Sequence, residues 1–173
     1  MTEDSTIIRP TALEKKGRKK AAQQTQRVFA DGLIGVAWAL LQKKNRSKDD
    51  DEKLLYAAFA SAFHWLEVGT GAHHQRAEWL ISRVYYALGN ATESIRHAER
   101  CAELTARHLK ELADFDRAFS LEALARAHAL AGDVEEAKEY YDKAKAAVDE
   151  IEREEDKKIF LDEFNAGNWH GIA

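Results

Sequence analysis

Leu124-Ala125-x-x-His128-x-x-x-Gly132-Asp133-x-x-x-Ala137-x-x-x-Tyr141-x-x-Ala144 decides the fold, because it is the second occurrence of one pattern. The first is Ile81-Ser82-x-x-Tyr85-x-x-x-Gly89-Asn90-x-x-x-Ser94-x-x-x-Ala98-x-x-Cys101, and every matched pair lies 43 positions apart. Apolar and small residues at three- and four-residue steps on both sides of Gly-Asn and Gly-Asp predict two helices joined by a tight turn, written twice. Helical hairpins repeated at a fixed offset stack side by side and bury a continuous core.

Outward from the repeat, the same periodicity predicts more helix. Val28, Phe29, Leu33, Val36, Ala37 and Leu40 mark a first helix over about 24–44, with Gly32 and Gly35 as weak points. Ser47 or Asp49 can cap a second helix that carries Leu54 to Leu66 and stops at Gly69-Thr70-Gly71. A third spans Ala72 to Leu88, and a fourth, capped by Asn90 with Glu93, continues towards Leu112. Asp114 opens a fifth that closes at Gly132, and Asp133 with Glu136 caps a sixth. A last helix runs over about 154–165. The expected class is all-α, about seven helices stacked as antiparallel hairpins, in one domain over 24–173. Residues 1–23, with Arg9 and the run Lys15, Lys16, Arg18, Lys19 and Lys20, read as a basic, disordered N-terminal arm.

Composition narrows the function classes. The 173 residues carry a formal net charge of −4, which argues against a general nucleic-acid binder. A lone cysteine, Cys101, leaves no internal disulfide and fits a reducing compartment. No apolar run approaches the roughly 20 residues that span a bilayer, and Ile7-Ile8 is no signal-peptide core. The expectation is a cytoplasmic protein that engages no membrane.

The two matched stretches resemble tetratricopeptide repeats. Ser82, Ser94, Cys101, Ala125, Ala137 and Ala144 fill that family's small positions, Tyr85, His128 and Tyr141 its bulky ones, and Gly89-Asn90 and Gly132-Asp133 its turns. The offset of 43 exceeds the usual period of about 34, and the surplus falls around Thr105 to Ala113. His64-Trp65-x-x-Val68-Gly69, Arg76 to Tyr85, His97-Ala98-x-Arg100-Cys101 and Asp114-Phe115-Asp116-x-Ala118-Phe119 are also similar to a group of small bacterial proteins of this type. The resemblance implies a right-handed array whose inner helices line a concave groove. Carried over by position, the groove would present Arg76, Trp79, Arg83 and Tyr86 from one repeat and Phe119, Glu122, Arg126 and Leu130 from the next.

Arg83 and Arg126 are repeat-equivalent, so two guanidinium groups flanked by Trp79 and Tyr86 suit an acidic or carboxylate-ended protein or peptide partner. The competing reading is that both pair internally with Glu78, Glu122 or Asp116. A second candidate is a polar pocket of His64, Glu78, His97, Arg100 and Asp116, joined by Arg83, which would serve a small ligand or an enzyme. A third is a homo-oligomer held through Trp38, Phe164 and Trp169. His74 lies four residues from Glu78, so both can face one side, but the Glu-x-x-His pairs of di-iron bundles and the His-Glu-x-x-His of metalloproteases are absent. Cys101 in a helix-crossing slot reads as packing, and no phosphate loop or nucleophile elbow occurs. No catalytic residue, metal or cofactor is expected, and an interaction module is the leading reading.

Overall fold

Residues 11–172 are described in the computed structural model, and they hold seven α-helices, one 3₁₀ turn and no strand. The helices are α1 (Ala12–Leu41), α2 (Lys48–Val68), α3 (Gly71–Ala87), α4 (Ala91–Arg107), α5 (Asp114–Ala131), α6 (Val134–Ala147) and α7 (Glu154–Asn165), with the 3₁₀ turn at Val148–Glu150 before α7. Short links make α1–α2, α3–α4 and α5–α6 antiparallel pairs, and successive pairs pack on one another. None of these helices is long and apolar enough to cross a membrane.

The sequence repeat is a structural repeat. The starts of α3 and α5 lie 43 residues apart, as do those of α4 and α6. Both intra-pair turns use a glycine with positive φ, 74° at Gly89 and 84° at Gly132, where a Cβ would be strained. Small side chains sit where paired helices cross: Ala98, Cys101, Ala125, Ala137 and Ala144 are fully buried. Ser82 and Ser94 fill the first copy's slots by exchanging hydroxyl donation to each other's carbonyls at 2.9 and 3.1 Å, which satisfies both buried groups.

Several local expectations change. Residues 12–23 belong to α1 and are not a disordered arm. Thr11 and Glu14 form a reciprocal capping box, while residues 1–10 lie outside the described ones. This half of α1 is wholly exposed and overhangs the C-terminal end of α2. Helix α4 ends at Arg107 rather than near Leu112, because the following turn returns to cap α3: the Glu111 carboxylate accepts from the Gly71 amide at 2.8 Å. Asn90 accepts from the Glu93 amide, but Glu93 turns to Arg96 instead of closing a box. Asp133 turns back to His128 at 3.0 Å rather than capping α6. Ser47, paired with Asp50, is the cap of α2.

Helix α7 determines the shape of the inner side. It lies against α5 and drives Phe160 and Phe164 into the core beside Phe119 and Tyr141. Trp169 follows, edge-on to Tyr141 at 4.8 Å between centroids. Phe164 and Trp169, expected at an oligomer interface, are therefore core residues 4% and 8% exposed.

Because Gly132 supplies the left-handed residue that turns α5 into α6, Gly132→Ala should lower stability by about 1 kcal/mol. A urea melt checks this, and a midpoint equal to wild type would contradict the turn's role.

Candidate functional site

The inner face is built from helical stripes. On α3, Arg76, Trp79, Arg83 and Tyr86 recur at three- and four-residue steps, and Phe119, Glu122 and Arg126 do the same on α5. The structure brings these seven residues together on one side. Repeat-equivalent positions even touch: the Trp79 indole Nε1 donates to Glu122 at 3.2 Å.

Their pairing is internal. Glu122 is fully buried and lies between two arginines, hydrogen-bonded to Arg126 Nε and 3.6 Å from Arg83. Arg83 also donates to Glu163 of α7 at 3.1 Å. Arg126, 1% exposed, aims Nη2 at the backbone carbonyls of Glu163, Phe164 and Ala166 at 2.9 to 3.2 Å. These are the groups that the last turn of a helix leaves unpaired, so a buried guanidinium closes the end of α7. Its carbon lies 4.1 Å from the centre of the Trp169 ring, and the chain then turns at Gly167 with φ 84°. A Cβ on Gly167 would stand 3.3 Å from Arg126 Nη1. Tyr86 completes the closure by donating to the Asn168 carbonyl. The guanidinium pair assigned to an acidic ligand is thus engaged with the chain's own C-terminal segment.

The proposed polar pocket does not assemble. His97 pairs with Glu78 at 2.5 Å between α3 and α4. Asp116 instead takes a two-pronged contact from Arg76 at 2.7 and 2.8 Å and accepts the Ala113 amide at the start of α5. His64 bonds to Gln26 of α1, and Arg100 lies on the outer surface with Glu103. These residues occupy separate helix contacts because each faces a different neighbour. His74 bonds to the Trp65 carbonyl rather than to Glu78, and no group of metal-ligating side chains forms among the described residues. Cys101 is fully buried, and burial pushes its thiol up to about 12, so it is inert packing.

What remains open is a cavity of about 500 Å³ on the inner face, beside the closed half. Its walls are the indoles of Trp38 and Trp79, with Ile34 from α1, Phe115 and Phe119 from α5, and Ile159 from α7. Trp38 and Trp79 lie 5.7 Å apart, and Phe119 meets Trp79 edge-on at 5.0 Å. The polar rim is Asp31, His73, the Arg76–Asp116 pair and Glu163. Burial together with the positive charges of Arg76 and Arg27 lowers the His73 pKa, which favours the neutral ring that accepts the Thr70 amide at 3.1 Å. Arg76 is half exposed, stacks on Phe115 at 5.2 Å, and is held firmly charged by Asp116. Gln75, also in the wall, gives its amide hydrogens to Thr105 and the Asp116 carbonyl, while its Oε1 has no partner.

Sequence reasoning missed the α1 and α7 walls. Ile34 and Trp38 do lie four residues apart on one side of α1, a signal that reads equally well as core. Nothing in the composition of α7 says which face of the array it covers. Compared with known proteins, the chain matches no family model, no curated protein and no solved structure.

Removing Glu122 leaves two guanidinium groups on the inner face without their shared carboxylate. Glu122→Ala should cost about 3–5 kcal/mol, and Glu122→Gln less, since the amide oxygen still accepts a hydrogen bond. Chemical denaturation reads both, and an Ala variant within about 0.5 kcal/mol of wild type would show that the network is idle.

Proposed function

We propose that this chain is a tetratricopeptide-like interaction module, cytoplasmic and non-catalytic, that takes a short protein or peptide segment into the open half of its inner face. The observation that carries the reading is the aromatic cavity between α1, α3, α5 and α7. It combines large rigid apolar walls with a few fixed polar groups at the rim, the composition of a binding hot spot. Two helical hairpins at one offset, each turned by a left-handed glycine, support the family resemblance.

The site selects chemistry. With Arg83 and Arg126 engaged internally, the cavity itself offers one half-exposed cation, Arg76, already neutralised by Asp116, and two acids, Asp31 and Glu163, at the rim. The occupant is therefore an aromatic or branched aliphatic side chain carried by a segment of neutral or mildly basic character, not an acidic tail. A small apolar molecule is the second reading, because the cavity volume also falls within the range of small-molecule sites.

A random peptide library selected on the wild-type protein tests this. Enriched peptides should carry an aromatic or aliphatic anchor and lose roughly 30-fold in affinity for Trp38→Ala, a loss of about 2 kcal/mol typical of hot-spot truncation. Peptides that bind Trp38→Ala as tightly as wild type, with helical circular dichroism unchanged, would remove the cavity from the binding site.

A further inference from the structure

The first half of α1 is a helix with no neighbour. Residues 12–25 are exposed on every side, and α1 first meets the array where Gln26 bonds to His64 and Arg27 donates to the Val68 carbonyl at the end of α2. At 1.5 Å per residue the free part is about 20 Å long. It buries nothing within its own chain, so its side chains are open to a partner.

Positive charge is concentrated there. Ala12–Arg27 carries six cations, Lys15, Lys16, Arg18, Lys19, Lys20 and Arg27, against one acid, Glu14, which is turned back on the Thr11 amide at 2.6 Å. From Met1 to Arg27 the sequence holds seven cations and three acids. None of the six cations enters an ion pair among the described residues. On the neighbouring end of the array, Asp31 and Glu67 lie near the level where α1 meets α2, and Glu111 is taken up by His108 and Gly71. Exposed Arg107 and Lys110 in the α4–α5 turn offset them. The net charge of −4 therefore describes the array and not this helix.

The rest of the composition chooses among anionic partners. Leu13 is the only large apolar residue from 12 to 27, so the helix has no apolar face to sink into a bilayer and no seam to bury against a protein helix. No aromatic residue lies between 12 and 28 to stack on an unpaired base. What remains is a cationic rod about 10–12 Å across, which fits the roughly 12 Å major groove of B-form DNA and not the narrow one of A-form RNA. Lys16, Lys19 and Gln23 fall on one side of it at steps of three and four, with Lys15 and Arg18 on one flank and Lys20 on the other.

We propose that the overhang of α1 binds duplex DNA, lying in the major groove with Lys16, Lys19 and Gln23 towards its floor and Lys15, Arg18 and Lys20 on the flanking phosphates. Such contacts draw their affinity from released counterions, so binding is salt-sensitive and low in sequence selectivity. The inference is independent of the cavity and of what it binds.

Fluorescence anisotropy of a labelled DNA duplex of about 20 base pairs, titrated with the full chain, tests it. A plot of log affinity against log salt should fall with a slope of about −4 to −5, as expected for roughly five neutralised phosphates. Replacing Lys15, Lys16, Lys19 and Lys20 together with Ala, at exposed positions where Ala favours helix, should weaken binding about 100-fold in low salt and make the slope shallower by about three to four. Lys48→Ala with Lys53→Ala, exposed at the opposite end of α2, should change neither. Gly17→Pro keeps every charge but breaks the helix, and should weaken binding about tenfold. No duplex binding in low salt, an unaltered slope in the lysine variant, or Gly17→Pro binding as tightly as wild type would each overturn the proposal. So would displacement of the duplex by poly-glutamate at equal charge concentration, or lysine-dependent co-sedimentation with phosphatidylserine vesicles in place of duplex binding.

Discussion

The ion pair between Glu122 and Arg126 is the constraint on which the inner face depends. Both side chains are essentially excluded from water, where an isolated charge would be strongly disfavoured, so each is tolerated only because the other and several further partners are in place. Glu122 gathers Arg126, Arg83 and the Trp79 indole, and Arg126 passes the connection on to three carbonyls at the end of α7. One carboxylate thereby links α3 and α5 to the C-terminal segment. Apolar packing of Phe160 and Phe164 supplies the bulk of the attachment, and the ionic network selects where it forms.

The division of the inner face into two halves follows. Where the repeat places arginines, the chain closes the groove with its own α7 and Trp169. Where the repeat places Arg76 and Phe119, the groove stays open as the aromatic cavity. Glu163 stands at the junction, pairing with Arg83 on the closed side and lining the open one. The position of α7 thus sets the size of the candidate binding site without any change in the helices that form its other walls.

Much of this was legible in the sequence, and for local reasons. Glycine turns, small crossing residues and the stripe Arg76-Trp79-Arg83-Tyr86 are set by spacing along one helix or one hairpin, so periodicity reveals them. The internal pairing of Arg83 and Arg126 was one of two readings available, because acids such as Glu122 lie one turn away. What spacing cannot give is which long-range neighbour wins. His97 chose Glu78 and Asp116 chose Arg76 through contacts between different helices, and so the polar pocket expected from the density of ionisable residues on half-buried helices dissolved into separate pairs. The same limit concealed the docking of α7, and with it the burial of Phe164 and Trp169. The end of α4 was misplaced because Glu111 serves α3, 40 residues away in the chain.

Native-state hydrogen exchange on wild type and Arg126→Met measures the central link most directly. Methionine keeps the apolar volume and leaves Glu122 with Arg83 and Trp79, so the helix pairs should persist. The amides of α7 should then lose protection by at least an order of magnitude more than those of α3 to α6, because the carbonyls of Glu163, Phe164 and Ala166 lose their only charged donor. Protection of α7 unchanged in Arg126→Met would contradict the account and leave the ion pair a passenger of the apolar core.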